Sequence, residues 1–262
     1  MADHVGRNAD DGIFFNFPVA TINNNNPPRY KPKALIITDS RGFGISSQIV
    51  RNQQINSLKG ADIDVKILSG ATLQEIQEQT RRACTFKTYD LIIVIGGICN
   101  LTEIASWNRL NVLHYPVKDL QSIRATLTEL REQFQEKIIF STICSAGLTK
   151  YARAKNYIDQ LPKDLEQLLT ENQARLNKDI ESINDWILAN NKEFDCTNID
   201  LNKLSTSQSI KRKFNGEKYR VKHFSDKNLY DGVHGNMAQR EKWHKRTIDV
   251  IYQELRKRFY SQ

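Results

Sequence analysis

No stretch of the chain approaches the roughly 18 consecutive apolar residues a membrane-spanning helix needs. The longest run, "LIIVIGGIC" at 91–99, suits a buried strand instead. The N-terminal "MADHVGRNADDG" lacks a basic start followed by an apolar stretch, so no secretory leader is expected. Cysteine is scarce. Cys84, Cys99, Cys144 and Cys196 are scattered without C-x-x-C spacing, in or near apolar runs. This argues against a disulfide framework or a zinc site and points to reduced thiols in an intracellular, cytoplasmic protein. No internal repeat is apparent, which leaves out solenoids and propellers.

What remains is an ordinary globular composition, 39% hydrophobic and 26% charged, and at 262 residues the chain is long enough for a substantial core. The net charge of +8 invites a polyanion, but over this length most of the basic residues serve solubility. Residues 1–31 include "NNNNPPRY" and little hydrophobic periodicity, so a disordered arm is expected there, followed by one domain over 32–262. "ALIIT" (34–38), "IDVKIL" (63–68), "DLIIVIG" (90–96), "KIIFST" (137–142) and "FDCTNID" (194–200) read as strands covered on both faces. Helical segments fall near 45–57, 72–82, 117–136, 160–191 and 237–259. The alternation predicts an α/β fold: a doubly wound, five-stranded parallel sheet with helices on both faces. Loops are expected at 101–116 and 145–160, and the basic stretch 202–230 is a long connection with no structural signature.

In such a sheet, ligands meet the loops at the carboxyl ends of the strands. Four of those ends carry unusual chemistry. In "TDSRG", Ser40 follows the first strand and precedes a helix; it is either a nucleophile whose own amide helps hold an oxyanion, or it caps the helix with Asp39. In "LSGATLQEI", Gly70 is a turn glycine or an amide donor into the cleft, and Thr72 can cap the next helix. In "IGGICNLT", Asn100 is a turn asparagine or a side-chain donor to developing negative charge. In "LYDGVHGNMAQREKWH", Asp231 and His234 stand three apart just before a helix. A carboxylate beside imidazole Nδ1 fixes the tautomer and makes the histidine a usable base near neutrality. The same pair also occurs on ordinary surfaces, and metal ligation with His223 or His244 has no convergent spacing to recommend it.

The order Ser, Gly, Asn, then Asp-x-x-His at the start of the last helix resembles the SGNH (GDSL-like) hydrolase superfamily, in short blocks across residues 33–258. The resemblance implies a serine ester hydrolase acting on O-acyl esters without metal or organic cofactor. Ser40 would be the nucleophile, His234 the base and Asp231 its partner, with an oxyanion hole from Ser40, Gly70 and Asn100. "DGVHGNMAQREKW" looks very like the family's closing block, including the asparagine two residues past the histidine, and "SGATL" matches well. Two blocks depart from the pattern. Thr38 stands where the family usually has glycine. The asparagine block runs Gly97, Ile98, Cys99, Asn100 where the family has glycine, any residue, asparagine, aspartate. Aligned on Leu101, Cys99 takes the oxyanion position and Asn100 that of the aspartate; an extra residue in the turn would return Asn100 to the hole. A thiol is a weak donor, so one of the two, but not both, is expected to face Ser40.

A rival reading keeps the fold and discards the chemistry. The altered asparagine block and the cations Lys211, Arg212, Lys213, Lys218, Arg220 and Lys222 would then serve RNA or DNA binding.

Overall fold

The computed structural model describes residues 30–55, 61–116, 120–212 and 218–259. The chain opens with β1 (Lys33–Thr38), a 3₁₀ turn (Ser40–Gly42), α1 (Ile45–Ile55), β2 (Asp62–Ile67), α2 (Leu73–Phe86) and β3 (Leu91–Ile95). The short α3 (Ile98–Leu101), β4 (Glu103–Trp107), β5 (Leu110–His114), α4 (Leu120–Phe134) and β6 (Ile138–Phe140) follow. Then come α5 (Leu148–Asn156), the long α6 (Lys163–Glu193), β7 (Thr206–Arg212), β8 (Lys218–Phe224) and α7 (Met237–Phe259).

Four parallel strands form the central sheet in the order β2-β1-β3-β6. β1 and β3 are buried almost throughout, as their uninterrupted apolar sequences require, whereas β2 lies at the edge and is only half-buried. Because side chains alternate along a strand, each inner strand feeds two cores. Leu35, Ile37, Ile92, Val94 and Phe140 meet α2, α4 and α6 through Ile76, Leu127, Ile183 and their neighbours. Ala34, Ile36, Ile93 and Ile139 meet α1 and α7 through Ile45, Trp243 and Ile251. The sheet is therefore wound on both faces, as the alternating sequence pattern predicts.

The fifth strand is reduced to a single parallel bridge, Ser141 to Ile199. Two buried asparagines of α6 explain the difference. Asn191 accepts from Phe140 N–H at 3.3 Å and donates to Phe140 C=O at 2.8 Å, and Asn184 does the same at Ile143, at 2.7 and 2.9 Å. A carboxamide has the donor and acceptor of a peptide group, so Asn191 occupies the outer edge of β6 where ladder bonds would run, and Asn184 holds the chain just beyond the strand.

The segment 101–116, expected as a loop, is a β4–β5 hairpin, and α5 occupies much of the loop expected at 145–160. The basic stretch after residue 202 forms a second antiparallel hairpin, β7–β8, that pairs with no other sheet among the described residues. Lys211 and Arg212 end β7, and Lys218, Arg220 and Lys222 lie on β8. Lys213 and the arm up to residue 29 lie outside the described residues, as does the expected helix start at 117–119. Among the described residues no helix is long and apolar enough to cross a membrane.

Candidate active site

The turn after β1 divides its labour. Asp39 caps the 3₁₀ turn, its Oδ1 accepting from Arg41 N–H at 2.9 Å. Capping is thus done by the carboxylate, which leaves the Ser40 hydroxyl for another partner. Arg41 is buried at 4% exposure, and its guanidinium donates to the carbonyls of Cys144 (2.7 Å) and Ser145 (3.4 Å), tying the turn to the segment after β6. Gly42 has no room for a side chain: a Cβ there would sit 2.1 Å from Thr38 Cγ2. Burial pushes the Asp39 carboxyl above its ordinary range, opposed by the Arg41 charge, the Arg41 N–H and His234.

The closing block brings its two residues to the same rim. Asp231 Oδ1 accepts the backbone N–H groups of Val233 (3.0 Å) and His234 (2.8 Å), while Oδ2 meets His234 Nδ1 at 2.7 Å. One carboxylate therefore shapes the turn and orients the imidazole. Gly232 sits in the left-handed region at φ +88°, and a Cβ there would lie 2.5 Å from Gly147 O, so the turn admits only glycine. The turn is pinned outward by Gly147 N–H to Gly232 C=O (2.6 Å) and closed by Tyr230 N–H to His234 C=O (2.6 Å). Asn236 then caps α7, accepting from Gln239 N–H at 2.9 Å.

The two turns meet at Ser40. Its Oγ lies 2.8 Å from His234 Nε2 across a separation of 194 residues. Ser40, His234 and Asp231 thus form one continuous hydrogen-bonded chain. Burial raises the Asp231 carboxyl, but the His234 side-chain bond, the two backbone N–H bonds and the imidazole's charge outweigh it and hold the group well below its usual range. At neutral pH Asp231 is a fixed negative charge behind the imidazole. The chain opens on a cleft of about 330 Å³ walled by Ser40, Arg41, Phe43, Tyr230, Asp231, His234, Gly235 and Arg240.

The expected oxyanion donors are placed less uniformly. Among the described residues, the Ser40 and Gly70 N–H groups have no acceptor; Gly70 is exposed in a left-handed turn at φ +71° with nothing within 4 Å of a would-be Cβ. Asn100 is engaged at both ends. Its Oδ1 accepts from Leu73 N–H at 2.7 Å, at the start of α2, and its Nδ2 donates to Gln74 Oε1 at 2.7 Å. The competing Cys99 packs against the larger core cluster. Burial pushes its thiol up to about 11, with Asp39 adding and Arg41 opposing, so it stays protonated at neutral pH. Neither Asn100 nor Cys99 hydrogen-bonds Ser40 among the described residues, and the Asn100 carboxamide is held at the start of α2 instead. The reason is that α2 presents Leu73 N–H to the carboxamide. Thr72 caps that helix by a reciprocal box with Glu75, as its position suggests.

His244 is buried behind the turn rather than in the cleft, and among the described residues no group of three His, Cys, Asp or Glu could hold a metal ion. Sequence reasoning missed Phe43, Tyr230 and Arg240 as cleft walls. Their only signal was nearness in sequence to Ser40 and His234.

Neither the models of protein families nor the curated proteins contain a match to the chain. Solved structures do. A lipase/acylhydrolase from Enterococcus faecalis is 14% identical, with a TM-score of 0.54 over 85% of this chain and 96% of that one. A GDSL-like lipase from Bacteroides thetaiotaomicron is 13% identical, with a TM-score of 0.54 over 87% and 89%. The acetyl xylan esterase AlAXEase is 13% identical, with a TM-score of 0.53 over 84% and 99%. The fold is that of the SGNH, or GDSL-like, hydrolases.

Proposed function

We propose that the protein is a serine ester hydrolase of the SGNH type acting on O-acyl esters. The observation that carries the reading is the Ser40–His234–Asp231 hydrogen-bonded chain opening on a cleft at the carboxyl rim of the sheet. Ser40 Oγ attacks the acyl carbonyl while His234 Nε2 takes its proton, and Asp231 stabilises the imidazolium. Collapse of the tetrahedral intermediate expels the alcohol, which leaves with the proton from Nε2. His234 then takes a proton from water, whose oxygen attacks the acyl-enzyme; collapse releases the carboxylic acid and restores the Ser40 hydroxyl. The oxyanion rests on the Ser40 and Gly70 N–H groups. With Asn100 engaged on α2 and Cys99 a weak donor, the third contribution is small, and one such donor is commonly worth about 10²–10³ in rate. Slow turnover follows. The reaction as drawn needs no metal or organic cofactor.

The likeness to an acylhydrolase and an acetyl xylan esterase supports an O-acyl ester as the substrate class. Four free thiols fit a reducing, intracellular compartment.

A fluorophosphonate probe tests the reading directly. It should label the wild-type protein on Ser40, and the purified protein should hydrolyse short-chain aryl esters, with Ser40→Ala abolishing both. Absence of labelling and of turnover, together with RNA binding that weakens steeply with salt, would instead favour the polyanion reading of the basic hairpin.

A further inference from the structure

The cleft beside Ser40 holds one charge that no carboxylate among the described residues pairs with. Arg240 stands in the first turn of α7 and forms part of the cleft wall with Ser40 and His234. The other charges there are committed: Asp231 to His234, and the Arg41 guanidinium to the Cys144 and Ser145 carbonyls. Among the described residues Arg240 has no carboxylate within ion-pair distance, and its Nε is buried without a hydrogen-bond partner. Its aliphatic stem lies against Gly235, where a Cβ would come within 3.3 Å of Arg240 Cγ, so the glycine gives the side chain its course along the wall. A cation in the first turn of a helix also opposes the helix dipole, an arrangement that costs folding energy and offers it nothing back. Two aromatic rings flank the same opening, Phe43 at 47% and Tyr230 at 78% exposure.

We propose that Arg240 is the specificity-determining residue of this cleft and that the preferred substrate is an ester bearing a carboxylate. The proposal rests on the hydrolase reading above. A guanidinium presents a planar fork that matches a carboxylate with two parallel N–H bonds, and the exposed rings supply a face for the rest of the substrate. The carboxylate meets an unpaired cation while the scissile carbonyl stands at Ser40. The same group in a neutral substrate would leave that cation desolvated and unpaired.

The test compares charged and neutral esters in two arms. On the acyl side, 4-nitrophenyl glutarate is set against its methyl ester. On the alcohol side, 4-acetoxybenzoate is set against methyl 4-acetoxybenzoate. The wild type should prefer the charged ester in one arm by about 10- to 100-fold in kcat/KM, as expected for a hydrogen bond to a charged group. That ratio should fall towards one in Arg240→Gln, be partly kept in Arg240→Lys, and shrink with added salt. Ratios at or below one in both arms, or an Arg240→Gln variant that lowers charged and neutral rates together, would overturn the proposal. Binding of the glutarate pair to Ser40→Ala, measured by calorimetry, separates the two ideas. Charged-ester preference there without any turnover or labelling of the wild type would sustain the anion site and sink the hydrolase. Neutral turnover with no preference would do the reverse.

Discussion

The block at 229–236 and the turn at 96–101 sit at the same rim of the same sheet and are built on different principles. In the first, almost every bond is local: Asp231 accepts from Val233 and His234, and Asn236 accepts from Gln239. The orientation of His234 is written into a spacing of three residues. In the second, Gly97 at φ +109° starts a four-residue helix, and the fate of Asn100 depends on Leu73 and Gln74, 27 and 26 residues away. A local turn delivers its side chain wherever it folds. A side chain whose partner lies on another element goes where that element offers a bond.

Changes that break the local block should have the largest effects. Ser40→Ala and His234→Ala should each lower kcat/KM for an aryl ester by about 10⁴-fold or more. The double variant should be little worse, because nucleophile and base act as a unit. Losses that multiplied would mean that the two do not act together. Asp231→Asn should cost about 10³–10⁴-fold by presenting the wrong tautomer; an active Asn variant would detach the carboxylate from the chemistry.

The distant turn should respond in the opposite sense. Cys99→Asn, placing a carboxamide at the position aligned on Leu101, should raise kcat by about 10-fold or more if it supplies the third donor. An unchanged rate would show that Cys99 does not stand where the oxyanion forms. Asn100→Leu should instead cost stability, about 1–3 kcal/mol from the buried N–H of Leu73 left unpaired, seen as a lower melting temperature. A large rate loss with unaltered melting would return Asn100 to the hole.

The smallest effect concerns acid. The folded-state Asp231 carboxyl is depressed below the 3.8 of a free one. Its ionisation therefore stabilises the fold above that value, and the contribution fades as pH falls through the depressed one. The melting-temperature gap between wild type and Asp231→Asn should be widest above about pH 4 and narrow on acidification. A gap that does not change with pH would mean that the carboxylate's charge is not what holds the turn.

Much of the scaffold is legible in the chain. "ALIIT" and "LIIVI" have no polar position to turn towards water, so they must be covered on both faces, and that alone demands a parallel sheet between helix layers. The fifth strand misleads because "FDCTNID" carries strand chemistry while the β6 edge it would join is taken at Phe140 by Asn191. The β7–β8 hairpin goes unread although its signal is in the sequence: Tyr219 and Val221 alternate with Lys218, Arg220 and Lys222, and the stretch contains an Asn-Gly pair, but the density of charge masks the pattern.

By itself the sequence determined the layered α/β plan and the pairing of Asp231 with His234, because burial patterns and three-residue turns act over short range. Tertiary structure alone decided that Ser40 meets that histidine across 194 residues, that Asn100 is drawn onto α2, and that Arg240 lines the cleft with no carboxylate partner among the described residues. Those outcomes depend on which elements pack side by side, and a hydrogen bond or an unmatched charge has meaning only once its neighbours are in place.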